Sequence, residues 1–138
     1  SPLQFLYWYD NPAPESPHSG KEGEINEVPE LAWYNQLPTT WDDTKVIEGD
    51  MEDFATIARK KGNKWFIGSL NGTTARKVNW NFDFLDKDKK YTATIYTDDA
   101  EMNTPTHVKI TTRIIDYRSK LEFAVNERNG IVVYIQPL

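Results

Sequence analysis

Apolar and polar residues alternate along most of the chain after Lys45, with the period of two that is typical of half-buried β-strands. In the stretch 78–84, Val, Trp, Phe and Phe alternate with Asn, Asn and Asp. Similar alternation follows further along, including Val108, Ile110 and Ile114 in the apolar phase of one strand. The pattern predicts strands near residues 45–49, 53–60, 64–71, 76–84, 91–97, 106–115, 119–125 and 131–136.

Turn-forming residues separate these strands and predict how they connect. Asn71-Gly72 and Asn129-Gly130 carry the Asn-Gly pair that favours hairpins. Asn71 also begins a glycosylation sequon, but a hairpin explains the pair fully. The segment 86–88 lacks the spacing of an EF-hand calcium loop, so we interpret it as a hairpin tip. Short strands joined by hairpins predict an all-β fold, an antiparallel β-sandwich or barrel of about eight strands, and we favour the sandwich.

Two of the predicted strands are apolar on both faces. They contain Trp65-Phe66-Ile67 and the run 131–135, which reads Ile-Val-Val-Tyr-Ile. A strand of this kind is buried on both sides. We therefore expect both strands to be central, or one face of their sheet to meet another domain.

The first 40 residues have a different pattern. SPLQFLYWYD predicts a short helix with Ser1 as N-cap, a Pro/Gly/Ser/Glu-rich loop follows at 11–29, and ELAWYNQ predicts a second short helix that ends at Leu37-Pro38. Such apolar helices form no core alone, so they must rest on the β-domain or on a partner. We expect interface residues among them and divide the chain into 1–40 and 41–138. The interface candidates are Phe5, Leu6, Trp8 and Trp33.

Composition and charge exclude several classes of protein. The net charge is -5 and the pI is about 5.0, which argues against nucleic-acid binding, since that function requires a basic surface. The chain contains no Cys, so it has neither disulfides nor thiolate metal sites. No apolar stretch reaches the length of a membrane span.

Candidate catalytic residues are sparse. The two His residues, His18 and His107, lack partners at metal-ligand spacing, and no G-x-S-x-G nucleophile motif occurs. The carboxylates cluster in predicted turns, where Asp bonds its own backbone. We therefore predict no catalytic and no metal-binding residue. Trp41, in the irregular stretch PTTWDD, is a candidate for stacking on a sugar ring or for packing at a domain junction.

Several stretches in order resemble one family. They are LPTTWDDTKVI at 37–47, IARKKG at 57–62, WFIG at 65–68 and FDFLDKDKKYTATIYTD at 82–98. In this combination they resemble the C-terminal region of glycoside hydrolase family 97. The acidic, Pro-rich loop at 14–27 is longer than is usual in that family.

The resemblance implies an accessory all-β domain of an exo-acting α-glucosidase or α-galactosidase. It implies that residues 1–40 are the last part of a catalytic TIM barrel, and that catalytic carboxylates and calcium ligands lie outside this chain, so the chain carries no cofactor. The implied role is structural or in oligomerisation; a carbohydrate-binding module is the alternative. The implied partners are the upstream barrel and further copies, without nucleic acid or membrane, in the periplasm or outside a Bacteroidetes-like cell.

Overall fold

The structure is a computed structural model, and it describes residues 28–50, 53–104 and 106–138. The described chain contains one short helix and eight strands, which confirms the all-β prediction. The helix is α1 (Leu31–Tyr34), within the second predicted helix. The strands are β1 (Asp43–Asp50), β2 (Phe54–Lys61), β3 (Lys64–Asn71), β4 (Arg76–Asn81), β5 (Tyr91–Asp98), β6 (Val108–Ile115), β7 (Lys120–Val125) and β8 (Gly130–Pro137).

The strands form two antiparallel sheets. A six-stranded sheet has the order β1-β2-β3-β8-β5-β6, and a two-stranded sheet pairs β4 with β7. The smaller sheet covers one face of the larger one, which confirms the sandwich. We call the covered side of the six-stranded sheet its inner face and the opposite side its outer face.

The core lies between the two sheets. Val78 and Trp80 of β4 and Phe82 beyond it are almost fully buried, as their alternation predicts. They pack with inner-face residues of the larger sheet, among them Ile67 and Val133. Fully burying side chains of this size contributes about 1.5–3 kcal/mol each, so this layer stabilises the fold.

The two strands that are apolar on both faces are neighbours in the middle of the six-stranded sheet. β3 and β8 pair in register, with Trp65 opposite Ile135 and Phe66 opposite Tyr134. All four side chains are buried. The prediction that these strands are central is confirmed.

The hairpin predicted at Asn71-Gly72 is wrong, because β3 and β4 lie in different sheets. Asn71 instead stabilises the connection from β3 to β4, which passes from one sheet to the other. Its Nδ2 donates to the carbonyl oxygens of Thr74 at 2.9 Å and Asn126 at 2.7 Å, and its Oδ1 accepts from Arg76 Nε at 2.9 Å. This side chain is buried and fully bonded, so the sequon gives no accessible glycosylation site.

The hairpin predicted at 86–88 is also wrong, because it connects β4 to β5, which belong to different sheets. At 129–130 the chain likewise crosses between sheets, from β7 to β8. A turn signal marks a change of direction but carries no information about the partner strand. The real hairpins join β1 to β2, β2 to β3 and β5 to β6.

The apolar phase of β6 faces away from the core. Ile110 pairs with Tyr96 and Ile114 with Thr92, both on the outer face. Only Ile115 at the end of the strand is buried against the core. Alternation therefore located the strand correctly but did not identify its core side.

Candidate interaction surface

The outer face of the six-stranded sheet carries an apolar stripe that crosses all six strands. Cross-strand partners lie on the same face, and the paired residues form one continuous row. This row consists of Val46, Ile57, Gly68, Val132, Tyr96 and Ile110. A sheet in contact with water on this side would carry polar residues here.

Large apolar side chains are exposed on this face. Within the described residues, the exposed large apolar side chains apart from the terminal Leu138 are Val46 (72%), Leu70 (74%), Ile110 (38%) and Ile114 (68%). All four belong to the outer face by their cross-strand pairing. Contiguous exposed apolar surface of this kind marks interaction sites.

The segment 28–42, which we call the lead segment, runs over the middle of the outer face. The Trp41 ring contacts the Phe66 ring edge-on, with centroids 5.4 Å apart. The Arg59 guanidinium lies 5.6 Å from the centre of the Trp41 ring, in cation–π range. The lead segment is anchored further by Asp42, which accepts a hydrogen bond from the Gly62 N–H at 2.7 Å. That bond, together with the Lys61 ammonium, lowers the pKa of Asp42.

One groove opens between α1 and the β5–β6 side of the face. It has a volume of about 240 Å³, and Glu30, Trp33, Tyr96, Val108 and Val132 are among its lining residues. Burial raises the pKa of the Tyr96 hydroxyl, and the nearby Glu30 carboxylate raises it further. The hydroxyl is therefore neutral and able to donate a hydrogen bond at physiological pH.

A larger groove opens on the β2–β3 side of the lead segment. Its volume is about 430 Å³, and its lining is mostly apolar. Trp33, Leu37 and Trp41 form one wall, while Ile57 and Leu70 belong to the sheet. The lead segment thus leaves apolar surface open on both of its sides.

Polar atoms at the junction between the lead segment and the sheet are incompletely satisfied. Within residues 28–50, 53–104 and 106–138, four buried side-chain polar atoms have no hydrogen-bond partner. Three of them are Glu30 Oε1, Trp33 Nε1 and Trp41 Nε1 of the lead segment. Buried polar atoms without partners are rare in folded proteins. They concentrate here on one surface.

Two of the residues named from sequence meet on this surface. Trp33 lines both grooves, and Trp41 lines the larger one while packing on Phe66. The interface candidates Phe5, Leu6 and Trp8 lie outside the described residues, as does His18.

Sequence reasoning missed the exposed apolar residues of the sheet itself. Val46, Leu70, Ile110 and Ile114 were not among its candidates. The available signal was the apolar character of both faces of β3 and β8, which predicted either that these strands are central or that one face meets another domain. That signal points to the face of the two central strands. It does not show that the apolar surface continues onto the edge strands β1 and β6.

Asp99 and the second His take part in local bonding. Asp99 accepts hydrogen bonds from Lys109 Nζ at 3.0 Å and from the Glu101 N–H at 3.1 Å, and these lower its pKa. A His107 ring nitrogen lies 2.9 Å from the Met102 carbonyl oxygen. No group of three or more His, Cys, Asp or Glu residues in the described ranges could hold a metal ion. Among those same residues, no helix has the length and apolarity to span a membrane.

Comparison with protein families shows which family the chain belongs to. Residues 40–136 match the family model described as "Glycosyl-hydrolase 97 C-terminal, oligomerisation". The chain belongs to this family. As a family 97 C-terminal domain, it corresponds to one part of larger glycoside hydrolases.

Individual relatives agree with this assignment. A curated "Retaining alpha-galactosidase" of Bacteroides thetaiotaomicron is 34% identical over 74 residues, covering 54% of this chain and 11% of the relative. A glycoside hydrolase family 97 enzyme in complex with acarbose, from Pseudoalteromonas sp. strain K8, is 27% identical with a TM-score of 0.72. That alignment covers 78% of this chain and 18% of the enzyme. The chain therefore spans less than a fifth of either relative.

A third solved structure shares the fold. It is a β-arabinopyranosidase that is 22% identical, with a TM-score of 0.64 over 78% of this chain and 17% of that enzyme. At this identity the match bears on the fold alone. The same sandwich thus occurs in enzymes with different named activities.

Proposed function

We propose that this chain is the non-catalytic C-terminal β-sandwich domain of an α-glycosidase, with a structural and subunit-contact role. The carrying observation is the concentration of exposed large apolar side chains on one face of the sandwich. The family's description as an oligomerisation domain and the small share of each relative that the chain covers support the proposal. Catalytic residues, and any calcium ion, would then belong to the rest of the enzyme.

The proposed contact of the outer face is the upstream catalytic barrel of the same polypeptide. The lead segment lies on this face, and its Trp33 and Trp41 line the grooves there. Glu30, Trp33 and Trp41 contribute three of the four buried polar atoms that have no partner in the described residues. A domain that covers the two grooves would supply those partners and bury the exposed apolar residues, including Leu70.

The same substitution of Leu70 in the 138-residue chain and in the intact enzyme tests this contact. Leu70→Asp should change the unfolding free energy of the 138-residue chain by less than about 0.5 kcal/mol, because the side chain is mostly exposed there. In the intact enzyme it should destabilise by about 2 kcal/mol, since a carboxylate would replace a buried Leu. Ala124→Asp, at an exposed position on β7, is the matched control and should be neutral in both. Equal effects of Leu70→Asp in the two proteins would contradict the contact.

The non-catalytic role has a separate test. The purified chain should release no nitrophenol from p-nitrophenyl α-glucoside or α-galactoside above the uncatalysed rate. The intact enzyme under the same conditions is the positive control. Turnover by the chain that persists after chelation of metal ions would contradict the proposal.

Carbohydrate binding is the alternative function, and one groove favours it. A polar groove of about 260 Å³ lies beside β1 and the end of β4, and Lys45, Asn79, Asn81, Asp83 and Phe84 are among its lining residues. The Asn79, Asn81 and Asp83 side chains make no hydrogen bond to other described residues. Amide and carboxylate groups beside an aromatic ring are the chemistry that binds sugar hydroxyls and ring faces.

Titration with malto- and galacto-oligosaccharides, followed by calorimetry and Trp fluorescence, tests this alternative. Saturable binding that Asn81→Ala and Asp83→Ala abolish would support it. Trp41→Ala tests the other sugar-stacking candidate in parallel, because Trp41 lies on the opposite side of the larger sheet. No saturable signal with either sugar series would remove carbohydrate binding.

A further inference from the structure

The free edge of β6 is suited to pairing with a second copy of the chain. β6 is the last strand of the six-stranded sheet, so one side of its backbone has no strand beside it in the described structure. An exposed edge strand is a template for pairing with another chain. We propose that β6 pairs antiparallel with β6 of a second copy about a two-fold axis at Thr112. The inference rests on the proposed subunit-contact role and adds its partner, edge and register.

The two edges of the sheet differ in their protection. β1, at the other edge, has a β-bulge between Val46 and Glu48 and carries charges along its length. Bulges and charges discourage edge pairing. β6 pairs with β5 without any register shift, and Ile110 and Ile114 are exposed on it. β6 is therefore the regular and more apolar edge.

The free backbone groups of β6 belong to its even-numbered residues. The Asp99 N–H donates to the His107 carbonyl oxygen at 2.8 Å, one position beyond the last ladder pair Asp98–Val108, and this bond sets the hydrogen-bonding phase of the β5–β6 ladder. Bonded pairs recur at every second residue, so odd-numbered residues of β6 bond to β5. The N–H and C=O groups at 108, 110, 112 and 114 then point to the free edge.

A two-fold axis at Thr112 pairs these groups along the whole strand. Thr112 lies opposite the second copy's Thr112, and Ile110 lies opposite the second copy's Ile114. All of these are even-numbered, so each pair presents free N–H and C=O groups to the other chain. Their side chains lie on the outer face. The paired sheets would therefore carry one continuous apolar surface across both copies.

The charged residues of β6 select this register over its neighbours. With the axis at Thr112, Lys109 faces the second copy's Ile115 and Arg113 faces its Thr111. An axis at Thr111 would place Lys109 opposite Arg113, and an axis at Arg113 would place two Arg113 side chains opposite each other. Like charges directly opposite are destabilising. Only the axis at Thr112 avoids them at full length.

A two-fold axis placed nearer to either end of β6 would leave fewer residues paired between the two copies. An axis at Ile110 would pair only residues 108–112, because His107 has a φ of 53° and ends the strand. An axis at Ile114 would leave most of the strand beyond the overlap, since β6 ends at Ile115. The register centred on Thr112 is thus the longest that keeps like charges apart.

Single cysteines test the register, since the chain has no Cys of its own. Thr112→Cys would place two thiols directly opposite, with Cα atoms about 5.5 Å apart, within disulfide range. Thr111→Cys and Arg113→Cys are matched controls, because their counterparts would lie about 7–8 Å away. Under mild oxidation most of the Thr112→Cys chain should become a covalent dimer, and the controls should form little covalent dimer. More efficient cross-linking of either control would overturn the register.

Two substitutions test the pairing itself by sedimentation. Thr112→Pro removes an N–H that points away from β5, so it should raise the dimer dissociation constant about tenfold without lowering the melting temperature of the monomer. Ile114→Lys should weaken association to a similar degree. Leu70→Lys is its control, since Leu70 is equally exposed on the same face but far from β6, and association should not change.

The outcomes separate this inference from the proposed function. A dimer that both Thr112→Pro and Ile114→Lys leave intact would overturn pairing through β6 and keep the subunit-contact role. A chain that is monomeric at all concentrations would overturn both the pairing and self-association. The contact with the upstream barrel would then still be decided by the separate Leu70→Asp comparison.

Discussion

Glu48 connects the two sheets through one carboxylate oxygen. Its Oε1 accepts hydrogen bonds from Thr56 Oγ1 at 2.9 Å and from Arg76 Nη2 and Trp80 Nε1 at 3.1 Å each. The Arg76 guanidinium also lies 3.7 Å from the centre of the Phe54 ring. Partial burial raises the pKa of Glu48, but the three hydrogen bonds outweigh it and lower the pKa from its usual 4.5. The β-bulge in β1 turns this side chain to the inner face.

Neutralising Glu48 should lower the free energy of unfolding and make that free energy less dependent on pH. Glu48→Gln keeps an acceptor but removes the charge, so the free energy of unfolding should fall by about 1–2 kcal/mol near neutral pH. Because the folded-state pKa is lowered, this stabilisation is present above 4.5 and is lost as the pH falls through the folded-state pKa. The variant should lose less stability on acidification than the wild type.

Urea unfolding at several pH values measures this effect. Glu122→Gln, an exposed carboxylate on β7, is the control and should behave like the wild type. Parallel acid curves for Glu48→Gln and the wild type would show that the charge of Glu48 does not stabilise the fold.

At the scale of elements, the crossing from β3 to β4 depends on Gly72. A Cβ atom at this position would collide with the backbone carbonyl oxygen of Asp53. Gly72→Ala should therefore destabilise the chain by about 1–3 kcal/mol. Gly68→Ala is the control, because its Cβ would meet nothing within 4 Å, and it should be neutral or slightly stabilising. Thermal unfolding distinguishes the two; equal melting temperatures would contradict the close approach.

The lead segment is an element held by aromatic packing. Trp41→Ala removes the ring that contacts Phe66 and lies beneath Arg59, so it should reduce the free energy of unfolding by about 2 kcal/mol. Val46→Ala, at an exposed position on the same face, should change it by less than about 0.5 kcal/mol. An equal effect of the two substitutions would indicate that the lead segment does not stabilise the sandwich.

The positions of the strands were predicted from the sequence better than which strands pair with each other. The alternation through Val78, Trp80 and Phe82 follows from burial of one side of a strand, which is a local property. Which sheet a strand joins depends on distant residues, so the local signal at Asn71-Gly72 misled. For the same reason, alternation in β6 could not tell whether Ile110 and Ile114 face the core or the outside.

Part of the interaction surface was also predictable. The apolar character of both faces of β3 and β8 predicted that these strands are central or that one face meets another domain. Trp33 was named as an interface candidate and Trp41 as a stacking or junction candidate, without a position on this face. Val46 and Leu70 were not named, because each is a single apolar residue whose exposure depends on the assembled sheet.

At the scale of the whole molecule, the sandwich combines a closed core with an open outer face. The small sheet buries the central part of the inner face, and the lead segment covers only the middle of the other side. A domain built in this way has a core of its own and an exposed apolar face that is suited to assembly. This agrees with its membership of a family of C-terminal oligomerisation domains in glycoside hydrolases.

The mass of the purified chain in solution tests the subunit-contact role most directly. Sedimentation equilibrium over a range of concentrations should give masses that approach twice the 16.0 kDa of one chain. The Ile114→Lys variant should shift this curve to higher concentrations. A mass of 16.0 kDa at every concentration would contradict the account.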